Sequence, residues 1–141
     1  MFILNVDGVE SFEIKGDCIT SVEMSTDIPA DSNARTKDMG STIIIKGRIL
    51  AAVNGGEADG TKAFAEWSAI PAESADCYRS VTVQRIAGGV LNRKYVFPNA
   101  FVIDYEEDFG DVEGTGTYTL LIKQKKDKIS DIVVEGGYSA E

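Results

Sequence analysis

The chain has 141 residues, of which 43% are hydrophobic and 26% charged, the make-up of one folded domain and not of a disordered segment. Fourteen Lys and Arg against 23 Asp and Glu leave a net charge of −9, which disfavours a stable complex with nucleic acid or an anionic membrane surface. Histidine is absent, and with it go Ser-His-Asp and Cys-His machinery, His-bound zinc and any imidazole acid or base.

In chain order, Phe2 to Val6 and Val9 to Ile14 read as strands joined by Asp7-Gly8, a dipeptide that favours a type I′ hairpin turn. After a Gly16-Asp17 turn, Cys18 to Thr26 alternates, with Thr20, Val22 and Met24 on one face and Ser21, Glu23 and Ser25 on the other. Asp27 to Gly40 has no periodic apolar set and reads as a long loop, a feature that in compact domains is usually functional or touches a partner. Ser41 to Ile49 returns to strand, with Ile43, Ile45 and Ile49 alternating with Thr42, Lys46 and Arg48.

The Asn54 to Gly60 stretch is a Gly-rich loop, and Thr61 then caps a short helix from Lys62 to about Ile70 that Pro71 stops. Phe64, Trp67 and Ile70 give that helix an apolar face for a sheet. Tyr78 to Ile86 alternates, Gly88-Gly89 turns the chain, and Lys94 to Phe97 leads through Pro98-Asn99-Ala100 into Phe101 to Tyr105. Glu106 to Gly116 reads as an acidic loop before the last long strand, Thr117 to Lys125, and a short Ile132-Val133-Val134 tail. The expectation is a single domain over residues 1–141, mainly β: an antiparallel barrel or sandwich of about seven to eight strands with one short α-helix.

No catalytic constellation emerges. Asp104 to Glu113 is rich in carboxylates that suit calcium, yet it lacks EF-hand spacing and reads as a solvated loop. The basic run Lys123 to Lys128 solubilises a strand end, and the glycine pairs at 55–56, 88–89 and 136–137 lack phosphate-binding spacing. Phe64, Trp67 and Phe97 read as core, not as a sugar-stacking platform. Cys18 and Cys77 have neither metal-knuckle nor redox spacing and read as free thiols. The opening segment Met1 to Asp7 lacks the parts of a signal peptide, so export by the general pathway is not expected. An enzyme is not expected, nor a cofactor or a metal.

The order of features carries a resemblance. A strand ending near Thr26 precedes a long irregular loop, a strand, a Gly-rich loop, and a Thr61-Lys62-Ala63-Phe64-Ala65-Glu66-Trp67 helix start. Tyr95-Val96-Phe97-Pro98-Asn99-Ala100-Phe101 and, later, Gly116-Thr117-Tyr118-Thr119-Leu120-Leu121-Ile122 follow. From Ile19 to Lys128 this order resembles the tail-tube family: tube proteins of contractile phage tails and phage-like injection particles, and the haemolysin-coregulated (Hcp) tube of type VI secretion.

The resemblance implies a small β-barrel forming hexameric rings that stack into the inner tube of such a particle, a conduit for DNA or protein cargo that passes without stable binding. It implies sheath, baseplate and tape-measure proteins as further partners, no membrane, and assembly in the bacterial cytoplasm before incorporation into a tail or particle. The long loop would then contact a neighbouring subunit or ring through Asp31, Asn33, Arg35, Lys37 and Asp38. The polar strand faces, Ser21, Glu23, Ser25, Thr42, Lys46 and Arg48, are the candidate lumen lining. Alternatives are an Hcp-like secreted tube that carries effectors, an adaptor ring at the tube's end, and a monomeric β-sandwich binding module.

Overall fold

A single strand joins two layers of sheet. The computed structural model describes residues 1–27, 40–49, 60–71, 73–110, 116–125 and 131–139. Its elements are β1 (Phe2–Asp7), β2 (Phe12–Lys15), β3 (Ser21–Asp27), β4 (Gly40–Ile49), α1 (Lys62–Ser68), β5 (Arg79–Ala87), β6 (Val90–Phe109), β7 (Gly116–Gln124), β8 (Val133–Glu135) and β9 (Tyr138–Ser139). The strands pair antiparallel in the order β2-β1-β5-β6-β7-β4-β3, with β8 and β9 also on β6. The mainly-β, antiparallel expectation with one short helix holds. The small C-terminal strands bring the total among the described residues to nine.

Strand β6 is 20 residues long, and its two halves serve different layers. The first half pairs with β5 on one edge, and the second half pairs with β7 on the other; Ala100 faces Arg79 on one side and Gln124 on the other. One layer is therefore β2-β1-β5 with the first half of β6, and the second is the rest of β6 with β7, β4 and β3. Among the described residues, no strand pairs the remaining edge of β6 from Phe101 to Phe109, or the outer edge of β3. The pairs Arg79↔Ala100 and Val81↔Phe97 leave Pro98 and Asn99 opposite Ser80 alone. Pro98 thus sits at a bulge, where its missing N–H costs no ladder bond.

Two sequence expectations need correction. Glu106 to Phe109 is strand, not loop, and pairs with Thr119 to Gly116. Side chains alternate across a strand, so Glu106 and Asp108 point to water while Tyr105 packs on the core. A run of acids is compatible with a strand that has one wet face. The β1–β2 hairpin forms, but its last pair is Val6↔Phe12, and Gly8 is not among the positive-φ glycines of a type I′ turn. Gly8 instead passes close to Arg79, whose Cγ would lie 2.9 Å from an added Cβ. Gly88 and Gly89, with φ of 60° and 75° between the paired Ala87 and Val90, do form that turn.

The core fills the space between the layers with Leu4, Val6, Ile43, Ile45, Val81, Phe97, Leu120 and Ile122, all fully buried. Helix α1, only 7 residues long, inserts Phe64 and Trp67 at one end. Thr61 occupies the N-cap position in helical φ/ψ and makes no side-chain capping bond, so packing holds this helix more than its own ladder does. Phe64 meets Phe12, Tyr105 and Tyr118 at ring-centroid distances of 5.5, 6.1 and 5.1 Å. Trp67 Nε1 donates to the Cys77 carbonyl at 2.8 Å.

Gly47, on the core face of β4 opposite Tyr118, is required by a close approach. The 3₁₀ turn Gly16–Cys18 rests on it, an added Cβ would overlap the Cys18 carbonyl, and Tyr118 Oη donates to that carbonyl at 2.6 Å. Gly47→Ala is expected to cost about 3 kcal/mol through overpacking. Tyr118→Phe, which leaves a buried acceptor without this donor, should cost about 1–2 kcal/mol. Urea unfolding followed by tyrosine and tryptophan fluorescence measures both.

Candidate functional site

The second layer has one face in the core and one turned outward, and the register places specific residues side by side on the outward face. One cross-strand row is Glu106–Thr119–Lys46–Ser21, and the next is Asp104–Leu121–Ile44–Glu23. Asp108–Thr117–Arg48 lies on one side of these rows, and Phe101–Lys123–Thr42–Ser25 on the other. Ser21, Glu23, Ser25, Thr42, Lys46 and Arg48, chosen from the sequence, therefore share one face. Glu23, Ser25, Lys46 and Arg48 are exposed and Ser21 is half-buried, whereas Thr42 is buried at 6% exposure.

The same face holds residues that the sequence reading missed. Asp104, Glu106 and Asp108 form an acidic stripe along β6, and Thr117 and Thr119 line β7 beside it. Their signal was the two-residue alternation of these acids with Tyr105, Glu107 and Phe109. The acidic stripe lies two strand spacings, about 10 Å, from the basic Lys46 and Arg48, roughly a Debye length at moderate salt. The stripes therefore attract each other weakly and remain available to charged groups from outside. The ion pairs Lys15–Glu13 and Lys94–Glu135, at 3.4 and 3.9 Å, lie off this face.

Asp31, Asn33, Arg35, Lys37 and Asp38 lie outside the described residues. The register shows only that Asp27 pairs with Gly40, so the chain leaves and re-enters the sheet at one point. Cys18 and Cys77 are both buried and unbonded to each other. Burial, reinforced by the neighbouring Asp76 carboxylate, pushes the Cys77 thiol up, so it is no thiolate nucleophile near neutral pH. Among the described residues no His, Cys, Asp and Glu side chains group as a metal site.

The described residues of this face form a wet, charge-striped β surface. Glu23→Lys and Lys46→Glu are expected to change unfolding stability by no more than about 0.5 kcal/mol. Ile45→Asp, one residue from Lys46 but on the opposite face, buries an unpaired charge and should not yield folded protein. Circular dichroism with denaturant titration separates the two cases.

No protein-family model and no curated protein matches this chain. Solved structures do. A chain from the six-fold symmetrised cryo-EM structure of the anti-feeding prophage (AFP) baseplate superposes at a TM-score of 0.55 and 11% identity, covering 96% of this chain and 92% of that one. Hcp1 from Flavobacterium johnsoniae gives 0.53 at 16% identity, over 98% and 99% of the two chains. Hcp1 from the E. coli EAEC 042 pathovar gives 0.53 at 12%, over 96% and 97%. Likeness over nearly the whole length of both chains establishes an Hcp-like fold for this chain.

Proposed function

We propose that this chain is a structural tube protein that acts by assembly and not by catalysis. Its copies form hexameric rings, and the rings stack into the inner tube of a contractile phage tail or phage-tail-like injection particle. The observation that carries this reading is the second layer: a sheet with one polar, charge-striped face and, among the described residues, an unpaired strand edge on each side, β3 and the second half of β6. Open edges invite pairing with another chain, and identical copies can satisfy them in a closed head-to-tail ring. The joined sheets would then turn their polar faces inward as a water-lined channel for DNA or protein. The likeness to Hcp1 and to an AFP baseplate chain supports the same reading.

Sheath, baseplate and tape-measure proteins are the further partners, with assembly in the bacterial cytoplasm before the particle is released. Likeness to Hcp1 over nearly its full length also favours a second reading, a secreted tube that carries effectors or an adaptor ring at the tube's end. The segment from Asp31 to Asp38 contacts a neighbouring subunit or ring.

Size-exclusion chromatography with negative-stain microscopy tests the central part. Rings or tubes are expected, and a 15.2 kDa monomer at high concentration would exclude this function. Replacing Asp31 to Asp38 with a short Gly-Ser linker should leave a folded protein that stacks poorly, because loop-closure entropy changes slowly with length. Tubes of unchanged length would remove that segment from the contact.

A further inference from the structure

The core-side face of the first layer ends in a pair of arginines. Its cross-strand rows run Val6–Val81–Phe97, Leu4–Val83–Tyr95 and, last, Phe2–Arg85–Arg93. Val22 reaches across from β3, and with Phe2, Val83, Tyr95 and the two arginines it encloses a cavity of about 170 Å³ at the open mouth between the layers. That is smaller than the ~300 Å³ and more of small-molecule pockets, so it suits a side chain and not a cofactor. Like charges directly opposite on a sheet are destabilising. Arg85 Nη1 donates to the neutral Asn92 Oδ1 at 2.7 Å, and no carboxylate among the described residues pairs with either guanidinium, in a chain of net charge −9.

The complementary group lies on the second half of β6. Glu107 faces Tyr118 and Phe109 faces Gly116, so both point to the core side of the second layer, yet both lie beyond the core. Glu107 is exposed, and Phe109 is 57% exposed with its ring over Gly116. Residues two apart on a strand point the same way, so a carboxylate and a phenyl ring are presented together. Tyr105 Oη donates to Glu107 Oε1 at 2.7 Å, which orients the carboxylate and leaves its other oxygen to accept.

We infer that the Arg85–Arg93 mouth of one copy receives Glu107 and Phe109 of a second copy of this chain. The inference rests on the tube reading. When the open edge of β6 in one copy lies along the open edge of β3 in the next, the core sides of the two sheets run on into each other. Side chains from the core side of β6 then arrive behind β3, where Val22 borders the mouth. The carboxylate meets both guanidiniums, a fork-to-carboxylate geometry that fixes orientation, and the ring covers Phe2, Val83 and Tyr95.

A charge swap tests this contact. Arg93→Glu and Glu107→Arg, both at exposed positions, should each fold with unchanged circular dichroism and elute as monomer at concentrations where the wild type runs as rings. Combining them should restore the ring peak. In addition, Arg93→Cys with Phe109→Cys should give, under mild oxidation, a disulfide ladder from dimer upward on non-reducing gels. Rings from either single variant at wild-type yield, or assembled double-cysteine protein without a ladder, would overturn the contact and leave the tube reading intact. A wild type that stays monomeric would overturn both.

Discussion

Everything else in this molecule depends on one strand being hydrogen-bonded into two layers through opposite edges. β6 spends its first half on β5 and its second half on β7, and Ala100 marks the crossover by pairing to both sides. This sharing brings β1 and β5 over β4 and β7 so that their apolar sides fill one core. It also leaves half of β6 with one edge that no described strand covers.

The two ends of the core are finished differently. At the end where β5 begins, α1 closes the space with Phe64 and Trp67, and the buried Arg79 lays its guanidinium 5.5 Å from the Trp67 ring with Nε unpartnered. At the other end Arg85 and Arg93 stand at an open mouth. An arginine therefore brackets each end of the core-facing row on β5, one sealed in by the helix and one facing outward. The sealed end serves the monomer, and the open end is the place where the core face is still available to another chain.

Much of this was legible in the sequence where the period-two pattern was unbroken. β3 alternates cleanly, and β4 and β7 do so apart from Ile44 and Leu121 on the outer face. Val22, Ile43, Ile45, Leu120 and Ile122 therefore fall inward and Glu23, Lys46 and Arg48 outward, as the sequence reading assigned for β3 and β4. Bulges limited the rest. A regular hairpin around Gly88-Gly89 would set Arg85 against Asn92, but an extra residue in β6 moves Arg93 into that place, so the arginine pair has no linear signature. The bulge at Pro98-Asn99 hid the continuity of β6, and the charge on Glu106 and Asp108 masked strand alternation as a loop. Thr42 follows the outward pattern and is still buried, because burial depends on neighbours that alternation alone does not specify.

On the proposed function, the Ser21–Glu23–Ser25 face of the second layer lines a channel in the assembled particle. Size-selective thiol labelling tests it most directly, with Ser21→Cys and Ser25→Cys variants on the second layer and Glu13→Cys on the first. On assembled tubes a small maleimide should label all three, whereas a polymer-linked maleimide too large to enter the channel should label only Glu13→Cys at the rate seen for dissociated subunits. Equal rates of labelling by the large reagent at Ser21→Cys and Glu13→Cys would place the polar face on the outside and contradict the account.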